Sequence, residues 1–236
     1  MRQLSSKNSI QYPAQLGKYA VKVKNGAFWR DYNTVRLEIS VGALYNEGDK
    51  FLATCEWVKH RFDNVVILVN DTLQRHNLII SGMDQGQAME LSRTQGKQWM
   101  ERNLKHIHNI DGFANVHIYR WDDWLARDGY NDALTAAHNE YINNHEWRKL
   151  VNSSIDEYLS RQKSIEDLEL YKRQSFLYYM EETAVLSAAY SEYKGVSAYS
   201  GNFHDMWGCF ISKTPPMHLE GLSNAQCIRI DFKKRK

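Results

Sequence analysis

The sequence predicts an α/β fold, a mostly parallel sheet with helices on both faces. Three observations carry this. Val65 to Val69 is an unbroken apolar run, as expected of a strand buried on both faces in a parallel sheet. Ahead of it, Phe51, Leu52, Cys55, Val58 and Phe62 recur at helical spacing between Lys50 and Phe62. Ahead of that helix, Leu37 and Ile39 alternate with Arg36, Glu38 and Ser40, the period of a strand, and Gly42 then breaks the run. Strand, helix and buried strand make one βαβ unit.

The 236 residues, 43% hydrophobic and 25% charged, suit a single domain spanning 1–236 with a sizeable core. Three prolines and no Ser/Gly-rich stretch leave no long linker, and no internal repeat is visible. A net charge of +2 means that any nucleic-acid binding must come from a local patch. No run of 18 apolar residues exists and residues 1 to 12 are polar, so neither a membrane span nor a signal peptide is expected. Cys55, Cys209 and Cys227 lack paired metal spacing and read as reduced and buried, which suits a cytoplasmic protein.

Residues 1 to 17 read as a loose leader. Tyr19 to Val23 alternates and predicts a first strand, with a turn signal at Asn25-Gly26. The next strand ends at Ser40. In an open α/β sheet that position lies at the carboxyl edge, where ligands bind, and the following backbone N–H groups and helix N-terminus would face an oxyanion. A strand-end serine that merely bonds a loop amide is the alternative. After the second buried strand, Asp71 either rims a pocket beside Ser40 or caps a helix.

Residues 84 to 108 predict a long polar helix with a thin apolar stripe of Ala88, Leu91, Trp99 and Ile107. Arg93, Lys97, Arg102, Lys105, His106 and His108 crowd the remainder; Arg93, Lys97 and Lys105, spaced by multiples of four, share one face and would make a phosphate track. A solvated face of mixed charge is the other reading. Asn115 to Tyr119 predicts a strand, and helical material follows from Trp121 to about Gln162. His138 and His145, the His106/His108 pair, and His204 with Cys209 lack a matched third ligand, so no metal is expected.

Ser164 with Asp167 resembles a capping box opening a helix to about Leu186. Leu168, Tyr171, Ser175, Tyr178 and Glu182 share its face, so Tyr178 and Glu182 point the same way one turn apart. A carboxylate on an inward stripe needs a partner or a function. Gly195 to Gly201 is a strand or loop with Tyr199 near its end. Phe203 to Ile211 is aromatic-rich, Cys227 to Phe232 alternates as a last strand, and Lys233 to Lys236 reads as a frayed basic tail.

From Tyr19 to Phe232 the chain resembles the cyclodipeptide synthases. The markers are Ser40 with Gly42 two residues on, Tyr178 with Glu182 four residues on, Tyr199 in the following strand–loop, and the basic helix of Arg93, Lys97, Arg102 and Lys105. None is specific alone; their order and intervals together are. Ala43 and Ser200 stand where one subgroup has asparagine and histidine, which places the chain nearer the other subgroup, although Ser200 replaces that subgroup's usual proline. Glu38 stands where members carry a small residue, often glycine. The resemblance implies a Rossmann-like domain similar to class I aminoacyl-tRNA synthetase catalytic domains. It also implies two aminoacyl-tRNAs as substrates, bound through the basic helix, with no cofactor. No apolar run calls for a membrane, and no exposed apolar heptad suggests a dimer, so a monomer is expected. Ser40 would carry the first aminoacyl group, Tyr178 and Glu182 would hold the α-ammonium, Tyr199 would position the intermediate, and Gly42, Ala43, Asp71, Ser200 and Glu38 would border the substrate. Glu38, on the strand face of Ser40, would favour a cationic or hydrogen-bond-donating side chain, unless it pairs with Arg36 or another internal base. Two other readings stand beside this one: an α/β hydrolase whose nucleophile elbow lacks its first glycine, and a non-catalytic RNA-binding module.

Overall fold

The computed structural model describes residues 17–24, 28–110, 112, 114–161, 167–201, 208–210 and 215–235. The leader up to residue 16, Asn25-Gly26, Ser164, His204 and most of the 203–211 stretch lie outside them. Six strands form one sheet: β1 (Tyr19–Val23), β2 (Thr34–Ser40), β3 (Asn64–Asn70), β4 (Asn115–Arg120), β5 (Val196–Tyr199) and β6 (Gln226–Lys234). Their order is β1-β6-β5-β2-β3-β4, parallel throughout except that β1 runs antiparallel to β6. The basic tail does not fray at residue 233: Tyr19 pairs with Lys234, and the Arg235 amide donates to Lys18 O at 3.0 Å.

Val65 to Val69 are fully buried, each contributing about 2 kcal/mol of apolar burial. Val65, Ile67 and Val69 face a core shared with α1 (Gly48–Val58) and α3 (Gln85–His108), while α2 (Arg75–Ile80) leads from β3 towards α3. Val66 and Leu68 face the opposite core, shared with α4 (Trp121–Leu125), α5 (Tyr130–Asn143), α6 (His145–Ser160) and α7 (Leu168–Glu192). The helical material expected from Trp121 to about Gln162 is three helices. Gly129 precedes α5, and Asn144 opens α6 by accepting the Trp147 amide at 3.0 Å.

The alternation in β2 has a different meaning from the expected one. The strand is central, and Arg36 and Glu38 are buried along with the apolar residues. Its polar side faces α7 rather than water. That helix is capped by Asp167, whose side chain accepts the Leu170 amide at 2.9 Å, and it runs beyond Leu186 to Glu192.

The adjacent carboxylates of α7 part company. Arg75 grips Glu181 with both terminal nitrogens, one at 2.7 Å, and the Trp121 indole donates to it at 2.9 Å. Burial alone would push this carboxyl up, but hydrogen bonds from His76 and Arg75 and the Arg75 charge outweigh it, bringing it from 4.5 to about 2. The ionised form therefore stabilises the fold fully above about pH 4.5, and that contribution disappears as pH falls towards 2. Glu181→Gln is expected to lose about 3 kcal/mol at pH 7 and to flatten the acid limb of stability, as read by denaturant midpoints across pH.

Candidate active site

Chain order runs from β2 outward to β3 and β4 on one side, and β5 and β6 occupy the other. The strand order reverses between β2 and β5, the place where an open α/β sheet leaves a crevice at its carboxyl edge. Ser40 ends β2 and Tyr199 ends β5, and the Ser40 hydroxyl lies 3.2 Å from the Tyr199 hydroxyl. Tyr45 bonds the same phenol at 2.8 Å, its ring edge-on to that of Tyr199. Nothing in the spacing singles out Tyr45; its role comes from a short 3-10 turn, Leu44–Asn46, that folds back beside the serine.

A cavity of about 160 Å³ opens here, with Ser40, Tyr178, Glu182 and Tyr199 all in its wall. One face of α7 lines it from Ser175 through Tyr178, Glu182 and Leu186 to Tyr190, a span of about 22 Å at the helical rise. Glu38, Tyr190 and Cys227 form the inner end; Asn77, Tyr158 and Tyr179 line it towards Ser175. Asn70, paired in register with Ser40, adds a polar wall that periodicity does not flag, because β3 reads as uniformly apolar up to that point.

Burial pushes the Tyr199 phenol up, reinforced by the neighbouring Tyr45 and Glu182, so it stays protonated and serves as a hydrogen-bond donor rather than a base. The Tyr178 phenol is raised well above its usual range by burial and by the Glu182 charge. A carboxylate, phenols and an alcohol lining one cavity suit binding of an ammonium group next to an acyl acceptor.

Other sequence-predicted positions fall elsewhere. Asp71 does not line the cavity: its oxygens accept from Thr72 N at 2.8 Å, Trp121 N at 3.2 Å and Arg120 Nε at 2.6 Å. It is a buried cap that ties β3 to β4 and α4, and it fits only because residue 96 of α3 is glycine; a Cβ there would lie 2.1 Å from its Oδ2. Gly42 adopts φ +88 to turn the chain. The Ala43 amide closes that turn onto Ser40 O at 3.1 Å and so is not an oxyanion donor. Neither residue, nor Ser200, is in the cavity wall. Helix α1 starts only at Gly48, so no tight nucleophile elbow forms, and no histidine lines the cavity among the described residues. The first of these departs from the sharp strand–turn–helix that a hydrolase nucleophile needs. Of the cysteines, Cys55 and Cys227 are buried as expected, whereas Cys209 is only half-buried.

Helix α3 packs directly on the loop after the serine. The Trp99 indole donates to Asn46 O at 2.8 Å, and Arg102 pairs with Glu47 at 2.7 Å. Lys97 and Lys105 are exposed, while Arg93 pairs with Asp122 at 2.8 Å and His106 turns inward against Phe51. Exposed pairs of this kind are worth only about 0–1 kcal/mol.

No helix among the described residues is long and apolar enough to cross a membrane. A search of curated proteins finds no match. Solved structures match closely in fold. A cyclodipeptide synthase from Fluoribacter dumoffii has a TM-score of 0.78 at 22% identity, covering 93% of this chain and 100% of that one. A Mycobacterium tuberculosis protein, described as demonstrating that cyclodipeptide synthetases are related to type I tRNA synthetases, has a TM-score of 0.70 at 10% identity, covering 94% and 100%. A cyclodipeptide synthase from Candidatus Glomeribacter gigasporarum bound to Phe-tRNAPhe has a TM-score of 0.63 at 17% identity, covering 86% and 89%. The sequence model for cyclodipeptide synthase matches residues 26–185, which take in β2 with its terminal serine, the basic helix and the Tyr178/Glu182 turn of α7; this chain belongs to the cyclodipeptide synthase family.

Proposed function

We propose that this enzyme joins the aminoacyl groups of two aminoacyl-tRNAs into a cyclic dipeptide through an ester on Ser40. The single observation that carries the reading is the convergence of Ser40 and Tyr199, 3.2 Å apart, in one cavity wall with Tyr178 and Glu182. The Ser40 oxygen attacks the carbonyl carbon of the first aminoacyl ester. The carbon–oxygen bond to the ribose breaks, and the serine proton passes to the leaving ribose oxygen with help from the vicinal hydroxyl. One ester replaces another, so the exchange is close to isoenergetic and needs neither ATP nor a His–Asp pair.

Tyr178 and Glu182 hold the α-ammonium by charge-assisted hydrogen bonds, and Glu182 takes its proton as the amine becomes a nucleophile. That amine attacks the ester of the second aminoacyl-tRNA, releasing its tRNA and leaving a dipeptide on Ser40. The dipeptide's free amine then attacks the Ser40 ester; the ring closes and the serine regains its proton. Tyr199, held by Tyr45, donates to the oxygen that carries charge in these steps. The basic residues of α3, Arg93, Lys97, Arg102 and Lys105, guide the tRNA backbone towards the serine loop. The enzyme works in the cytoplasm, where charged tRNA is found, as a monomer.

Mass spectrometry of medium from cells expressing the protein is expected to show a new diketopiperazine. A protein that binds tRNA equally well with or without an amino acid, and yields no such product, would instead be a binding module.

A further inference from the structure

We propose that the inner end of the cavity selects a basic, hydrogen-bond-donating side chain (histidine, lysine or arginine) on the first aminoacyl group. This rests on Ser40 being the acyl acceptor. Glu38 lies on the same face of β2 as Ser40, about 6.6 Å deeper along the strand, and forms the inner wall with Tyr190 and Cys227. A side chain leaving the α-carbon of an ester on Ser40 and running inward meets the Glu38 carboxylate.

The carboxylate is only half satisfied by the protein. Oε1 accepts from Tyr190 Oη at 2.7 Å and is bonded by Ser197 Oγ at 2.8 Å. Both of these bonds fall on Oε1, and Oε2 takes no side-chain donor among the described residues. Arg36, two residues back on the same face, is the obvious counter-ion, but its donors are turned away. Its Nε bonds Ser197 Oγ at 3.2 Å, and its terminal nitrogens go to Tyr193 O at 2.5 Å and Gly195 O at 3.1 Å. Its guanidinium lies 3.6 Å from the centre of the Tyr190 ring. Arg36 thus anchors the α7–β5 turn rather than pairing with Glu38.

Two cavity-lining atoms are buried without a hydrogen-bond partner among the described residues: Asn70 Oδ1, beside Ser40, and Ser175 Oγ. Burial raises the Glu38 carboxyl despite the Arg36 charge, the two hydroxyl bonds and a bond from its own backbone, as expected where compensation is incomplete. A buried carboxylate with an open oxygen is costly until a cationic donor meets it. An apolar side chain would leave that cost in place; a basic one removes it.

The test uses the purified full chain and tRNA charged separately with histidine, lysine, arginine, asparagine, glutamine, leucine or phenylalanine. The aminoacyl ester on Ser40 is read by intact mass over time. A basic amino acid is expected to load about a hundredfold faster than leucine or phenylalanine. Glu38→Leu is expected to abolish that preference and admit leucine, with Glu38→Gln between the two. Wild-type preference for apolar amino acids would overturn the assignment, as would a preference for asparagine or glutamine, the outcome if Glu38 were protonated and donating. A folded Glu38→Leu enzyme with an unchanged profile would also overturn it; should that variant not fold, the wild-type profile decides alone. Loading of apolar amino acids sinks only this pocket assignment, whereas no ester on Ser40 from any tRNA sinks the proposed function with it.

Discussion

Ser40→Ala is expected to lower cyclic dipeptide formation by roughly a thousandfold or more, and to abolish the aminoacyl adduct on the protein. In the proposed route this residue supplies the bond through which the first aminoacyl group is held once its tRNA leaves. Without it, both charged ends must meet in the cavity at once, and the advantage of an intramolecular second step is lost. The variant should fold normally. Ser40 is half-buried at a strand end, and removing its hydroxyl leaves Tyr199 still bonded to Tyr45 at 2.8 Å, so no buried polar group is orphaned. Thermal melting should therefore stay within about 0.5 kcal/mol of wild type while intact mass shows no adduct. Product formation within tenfold of wild type would remove the covalent route.

Glu182→Gln is the second large effect. The amide keeps the volume but loses the charge that, in the proposed route, grips the ammonium and accepts its proton. Losing one partner of a buried charge pair weakens the interaction by about 2–5 kcal/mol, so turnover is expected to fall by roughly a hundredfold or more. The two steps should respond differently. Loading of Ser40 needs only binding of the ammonium, whereas peptide-bond formation also needs the amine deprotonated. The aminoacyl adduct should still form on long incubation and then persist. Tyr178→Phe removes a hydrogen bond but no charge, and its loss should be nearer tenfold. A Glu182→Gln enzyme that clears its adduct at the wild-type rate would free Glu182 of any proton-accepting role.

Much of this site was legible because its parts are local. The strand ending at Ser40 shows in the alternation of Arg36 to Ser40, and the Tyr178/Glu182 pair in spacing on one helix. The basic helix was placed almost to the residue, Gln85–His108 against an expected 84 to 108. Asp71 stays open in the sequence because a carboxylate just past a strand reads the same whether it caps or binds; its three donors, from Thr72, Arg120 and Trp121, distinguish the two. Tyr45, Asn70 and Tyr190 carry no periodic signal of function, since each looks like ordinary loop, strand end or core.

By itself the sequence determined which segments become strands and helices, and which side of each is apolar, because those properties follow from spacings of two to four residues. It also put a serine at a strand's carboxyl end and a carboxylate on an inward helical face. The tertiary structure alone decided that β5 lies beside β2, bringing Tyr199 to Ser40 across 159 residues of chain. It also decided that Arg36 turns its donors to the α7–β5 turn and leaves Glu38 facing the cavity. Pairings between distant strands depend on how the whole chain buries its two cores, and no local pattern encodes that choice.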